Sequence, residues 1–150
     1  MKKGSDKERK NIYDAYLDHT DTINNWDLID SSAHQIVGGY LFERDRKRLY
    51  QLAKSKSLWE RRISMIATYT FIKRDDFEDT LKLSEILLMD EEDLMHKAVG
   101  WMLREVGKKD IEVEEKFLRK HYKKMPRTML RYAIEKFEER KRQRYLKGEI

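Results

Sequence analysis

The stretch Ser57-Leu58-Trp59-Glu60-Arg61-Arg62-Ile63-Ser64-Met65-Ile66-Ala67 decides the fold class. Ser57 and Glu60 have capping-box spacing, in which a serine at the N-cap and a glutamate at N3 satisfy each other's orphan N–H groups. Ile63, Ile66 and Ala67 follow at helical intervals, so a helix begins at Leu58 and turns one face inward. The pattern then returns. Leu58, Arg61, Ile63 and Ile66 are matched by Leu94, Lys97, Val99 and Met102 at a period of about 36 residues. Met129, Ala133 and Ile134 continue it after Leu94, Ala98 and Val99. Helix pairs recurring at that period predict an all-α fold, a HEAT-like helical-repeat solenoid or α-α superhelix with an extended concave face.

Outward from that helix the chain reads as about eight helices. Ile12, Tyr13, Tyr16 and Leu17 give a first helix over roughly 8–19, behind a frayed leader at 1–7. A second runs from Asn25 through Leu28, Ile29, Ala33 and Val37, and Gly38-Gly39 is expected to loosen or end it. A third covers roughly 43–54. Beyond the capping box, Asp75-Asp76, Asp90 and Asp110 open three further helices. Gly107 is expected at a helix C′ position, and Pro126 at the first position of the last helix. Residues 140–150 read as a basic tail. The whole, 1–150, is expected to be a single HEAT-like repeat domain.

Composition narrows the function classes. With no cysteine in 150 residues, disulfides, thiolate metal sites and a cysteine nucleophile are excluded. One proline, six glycines and 41% charged residues favour long helices over a turn-rich β fold. No apolar run reaches the ~20 residues that cross a bilayer, so a cytoplasmic protein is expected. The 33 Lys plus Arg against 28 Asp plus Glu leave a net charge of +5, which favours an anionic partner. The four histidines, His19, His34, His96 and His121, lack metal-ligand spacing, and no phosphate loop or nucleophile elbow occurs. No cofactor and no metal are expected.

Two patterns carry chemistry. In Asn24-Asn25-Trp26-Asp27-Leu28-Ile29-Asp30, an indole and a carboxylate stand four residues apart, one turn apart on a shared helix face. Either Trp26 packs inside while Asp30 points out or caps a neighbour, or both face a working surface. Asp75, Asp76, Asp90, Glu91, Glu92 and Asp93 lie at helix starts, where dipole and capping roles explain them. Asp30 is the acid least easily explained that way. Separately, Lys97, Trp101, Arg104 and Lys108 form one stripe along the sixth helix. Arg61 and Arg62 pair on the fourth, and Arg127 and Arg131 stand one turn apart on the eighth. Each is either a solvated face or part of a shared basic surface that a phosphate backbone would meet through sequence-independent contacts.

Several long segments, in order, resemble one family. Asn24 to Asp30 with Ser31-Ser32-Ala33, Leu58 to Arg62, Lys97 to Gly107, and Met125 to Ile134 are similar to the AlkD-type DNA alkylation repair family of HEAT-like alkylpurine DNA glycosylases. The likeness covers nearly the whole chain from about Glu8. It implies hydrolysis of the N-glycosidic bond of cationic N3- and N7-alkylated purines in double-stranded DNA, by a monomer without metal. Carried over by motif, Asp30 resembles the catalytic acid, Trp26 and Trp101 the DNA-facing indoles, and Arg62 the phosphate-contacting arginine. Arg61, Lys97, Arg104, Arg127 and Arg131 would complete the DNA-binding surface, while Trp59 belongs to the core. Family members carry further helices ahead of the first motif, so this chain matches the C-terminal portion of the family's solenoid, and part of the DNA-cradling arc is expected to be absent. The alternative is a non-catalytic HEAT-like module binding DNA or protein, in which Asp30 is structural.

Overall fold

A computed structural model describes residues 5–20 and 26–150, the side chains of Trp26 and Asp27 excepted. Every regular element among the described residues is helical, as the periodicity demands. The chain comprises two compact units, Met1–Asp76 and Phe77–Ile150. No helix is long and apolar enough to cross a membrane.

The first unit begins with α1 (Asp6–Asp18), whose N-cap Ser5 accepts a hydrogen bond from the Glu8 N–H, so the expected leader already turns helical at position 6. Next come α2 (Trp26–Ala33), a π-helical turn (His34–Gly38) and α3 (Gly39–Leu41), which run on without a break. Asn24 and Asn25, the expected cap, lie outside the described residues. Gly38 does not end the helix. A Cβ there would stand 2.2 Å from the Ala67 carbonyl oxygen, so glycine is required by the close approach of two backbones. The third expected helix shortens to α4 (Lys47–Ala53).

α5 (Leu58–Ala67) is the centre of this unit and packs against both α2 and α4. Ile29, Ala33, Val37, Leu49, Ile63, Met65 and Ile66 are wholly buried there. The Ser57 cap forms, with its Oγ accepting from the Glu60 N–H at 3.3 Å. The reciprocal half of the box does not. The Ser57 N–H donates instead to Ser55 Oγ, and the Glu60 carboxylate accepts from the hydroxyls of Ser55 and Thr20, which hold its pKa below the ordinary glutamate value. Thr68 separates α5 from α6 (Tyr69–Lys73). Asp75, at φ 62°, makes the left-handed turn out of it.

The second unit comprises α7 (Glu78–Ile86), α8 (Asp93–Lys109), α9 (Ile111–His121), α10 (Arg127–Ala133) and α11 (Glu139–Leu146). α8 is its centre, packed against α9 and α10, with Met95, Ala98, Val99, Met102, Leu103 and Val106 wholly buried. Asp110 caps α9 as expected, accepting from the Glu112 N–H at 3.1 Å. Pro126 stands one residue earlier than expected, at the N-cap of α10. Gly107 lies inside α8 rather than beyond it, and the Glu114 carboxylate sits in the space a Cβ would take there. The expected basic tail is also structured. Residues 139–146 are α11, anchored by Tyr145, which is 1% exposed and meets the Tyr122 and Phe137 rings edge to face.

Candidate active site

In the first unit, burial of Ile29, Ala33 and Val37 fixes the rotation of α2 against α5. That rotation brings Asp30 to the boundary between the helices, opposite Arg62. Arg62 Nε donates to Oδ1 at 3.0 Å and Nη2 to Oδ2 at 2.9 Å, a two-pronged match of guanidinium and carboxylate. The arginine side chain is 5% exposed and the aspartate 18% exposed, so the pair sits at the floor of the surface with the aspartate the more open of the two.

The pair also explains why Arg62 can be buried. A lone guanidinium in this position would be strongly unfavourable, and the facing carboxylate offsets that desolvation. Arg62, expected as an outward phosphate contact, is therefore turned inward onto Asp30. Beside them Tyr16 and Ser32 share a hydrogen bond at 3.0 Å. Burial and the negative charge of Asp30 raise the Tyr16 phenol above its usual pKa, against the lowering effect of Ser32.

One turn beyond Asp30 stands His34, which the sequence reading set aside. Its ring meets Tyr69 of α6 edge-on at 5.2 Å, and Thr70 Oγ1 donates to its backbone carbonyl. Lys73 Nζ lies 4.5 Å from the centre of the Tyr69 ring. Burial, and then the positive charge of Lys73, lower the His34 pKa below its ordinary value, which favours the neutral imidazole at pH 7. The signal was present in the chain: His34 repeats the face of Asp30 at i+4, and Tyr69 repeats that of Arg62 at i+7.

The other expected residues divide by what they touch. The Trp26 side chain lies outside the described residues. Arg61 is half-buried and donates to the carbonyls of Ser55 and Lys56, fastening the turn before α5. In the second unit Trp101 is half-buried. Lys97 pairs with Asp93 at 3.3 Å, and Lys108 with Glu105 at 2.9 Å. Arg104 is bound to Glu135, and Arg127 Nη1 donates to the Leu146 carbonyl at 2.6 Å. Arg131 is exposed and makes no ion pair among the described residues. Most of the basic positions that stand in stripes along the sequence are thus held by acids or carbonyls of the same chain. Trp59, expected in the core, is only half-buried.

The second unit holds an acid cluster that sequence reasoning missed. Glu114 is 1% exposed, and its Oε2 has no hydrogen-bond partner among the described residues. Burial first, then the neighbouring Glu115 charge, push its pKa up to about 9, with Arg104 opposing. Burial acts in the same direction on Glu115. There the hydrogen bonds from Lys141 Nζ at 2.6 Å and the Tyr145 hydroxyl at 2.9 Å prevail, and its pKa falls. Among the described residues no three His, Asp or Glu side chains converge as metal ligands would.

With this geometry in hand, comparison with known proteins gives one family. The family model described as "DNA alkylation repair enzyme" matches residues 1–137. No curated protein and no solved structure matches the chain. The matched span takes in Asp30, Arg62, Trp101 and α10, and leaves α11 outside.

Proposed function

This chain belongs to the DNA alkylation repair enzyme family, and from that premise we propose that it is an alkylpurine DNA glycosylase whose chemical step centres on Asp30. The observation that carries the reading is the carboxylate of Asp30, clamped at both oxygens by Arg62 while its side chain stays 18% exposed. A purine alkylated at N3 or N7 is already a cation. When its bond to C1′ breaks, the bonding pair goes to the ring and the base departs neutral, with no acid needed. The sugar is left as an oxocarbenium-like cation, which a fixed carboxylate stabilises until water adds to C1′ and gives up a proton.

In this reading Arg62 is a positioning residue. Its fork fixes the plane and height of the carboxylate, so no reorganisation accompanies the developing charge. By the family resemblance Trp26 and Trp101 are each assigned an indole contact to DNA, each from its own unit. Cation–π attraction of each to a positive base or sugar is on the order of 0.5–2 kcal/mol.

A competing reading draws on the same ion pair. Asp30, with both oxygens bonded, would then be only the counter-charge that lets Arg62 be buried. Release of 7-methylguanine or 3-methyladenine from methylated duplex DNA separates the two. Asp30→Asn should lower base release by about 10²–10³-fold while DNA binding persists and circular dichroism reports the same helix content. Unchanged release in that folded variant, or none from the wild type, would leave Asp30 a structural acid.

A further inference from the structure

We infer that His34, Tyr69 and Lys73 form a phosphodiester subsite adjoining Asp30, which grips the backbone of the DNA strand whose base is being released. The inference rests on the DNA-repair reading and extends the same site by one helical turn. Asp30 and His34 lie one turn apart on a continuous helix, and their partners Arg62 and Tyr69 come from the chain running through α5 and α6. The Asp30–Arg62 and His34–Tyr69 pairs therefore make successive rungs, and Lys73 stands beyond the second.

Chemistry distinguishes the two rungs. The first is neutralised, since Arg62 and Asp30 cancel. The second carries uncompensated positive charge. Lys73 is exposed, and no carboxylate pairs with it among the described residues. Its ammonium is steadied over the Tyr69 ring, which removes some of its conformational freedom before any ligand arrives. The His34 ring is half-buried, and no hydrogen bond engages either of its nitrogens among the described residues. A half-buried imidazole beside an ammonium, with neither matched by an acid, is poorly placed until an anion arrives. A phosphodiester oxygen accepts from both. Because the sugar cation forms at Asp30, an anion held one rung away also keeps the strand in register with the carboxylate.

Around His34 the charged and titratable groups are Lys73 and Tyr69 of α6 and Asp30 on its own helix, with the Thr70 hydroxyl taken by the His34 carbonyl. Lys73 is the neighbour that holds the ring neutral beyond the effect of burial. A bound phosphodiester screens that repulsion and adds an attraction of its own, so DNA binding should raise the His34 pKa and take up protons.

The test uses the full chain. NMR titration of the His34 ring, free and with methylated duplex DNA, should show its pKa higher in the complex. Lys73→Ala should weaken DNA binding about fivefold and flatten the salt dependence by about one unit of slope. His34→Gln should remove the proton uptake while circular dichroism stays unchanged. An unmoved His34 titration, together with wild-type affinity in Lys73→Ala, overturns the subsite, while loss of base release in Asp30→Asn would still stand for the glycosylase reading. A His34 shift with DNA but no base release supports the subsite and removes the glycosylase instead. A shift produced by inorganic phosphate and not by duplex DNA shows an adventitious anion site and overturns the assignment to the strand.

Discussion

Each unit of the chain draws an acid in beside its central helix, and the two acids are treated oppositely. Asp30 in the first unit is met at both oxygens by the Arg62 guanidinium. Glu114 in the second is more deeply buried, lacks a partner at Oε2, and holds its proton up to about 9. The difference lies in what faces the carboxyl across the helix boundary. Arg62 opposite Asp30 meets both carboxylate oxygens with its guanidinium fork. Glu114 lies instead against the Gly107 backbone with Glu115 beside it on α9, and burial first, then the Glu115 charge, keep its proton on against Arg104.

The largest effect should come from removing the partner that makes the first case. Arg62→Ala leaves Asp30 partly buried and uncompensated, and breaking a buried pair in this way costs about 3–5 kcal/mol. Urea unfolding is expected to show that loss, and base release should fall as the carboxylate loses its fixed orientation. Arg62→Lys offers a single point charge in place of the fork and should recover part of the stability but little of the rate. If Arg62→Ala were as stable as wild type, the contrast between the two acids would lose its basis.

The second unit gives a smaller effect with a definite sign. Glu114 has a folded-state pKa of about 9, above its unfolded value of 4.5. Between those limits the folded chain carries a proton that the unfolded chain has lost, so stability falls as pH rises through that window. By pH 7 the loss amounts to roughly 3 kcal/mol, at about 1.4 kcal/mol per pH unit. Glu115 works the other way: its lowered pKa adds stability that is present above the ordinary carboxylate range and is lost on acidification. Glu114→Gln keeps the shape and is always neutral, so its stability should decline less than that of wild type between pH 5 and pH 8, read as urea midpoints. Parallel pH dependences would mean that Glu114 is ionised in the fold.

What could be read from sequence follows the range of the cause. The Ser57 and Asp110 caps were legible because an N-cap is a contact between near neighbours in the chain. The all-helical content was legible for the same reason, since apolar spacing is local. Gly38 and Gly107 both resemble helix ends; at Gly38 the helix loosens into a π-helical turn instead of stopping, and Gly107 lies inside α8, while the neighbours that crowd the two, Ala67 and Glu114, come from other elements. Arg62 looked like an outward cation because nothing in its own helix announces Asp30. Glu114 left a trace that went unused: it precedes Phe117 by three and Leu118 by four, on the buried stripe of α9. Likewise Tyr145, hidden among basic residues, gave too faint a signal to turn the expected tail into a helix.

The smallest effect concerns cations that have no place in either core. Arg104 is bound to Glu135 and Arg131 is exposed without an ion pair, although both come from helices of the second unit and both read as DNA contacts in the sequence. Salt sensitivity in DNA binding arises when a cation displaces counterions from phosphate, and a cation already neutralised by a carboxylate contributes less to that exchange. Arg131→Ala should therefore flatten the dependence of log affinity on log salt by about one unit. Arg104→Ala should change the slope by a smaller amount, since it also frees Glu135. Fluorescence anisotropy with a labelled duplex from about 50 to 200 mM salt covers the useful range. Equal slopes in the two variants would show that the Glu135 contact opens when DNA arrives, and partnered charges would then belong to the binding surface as fully as free ones do.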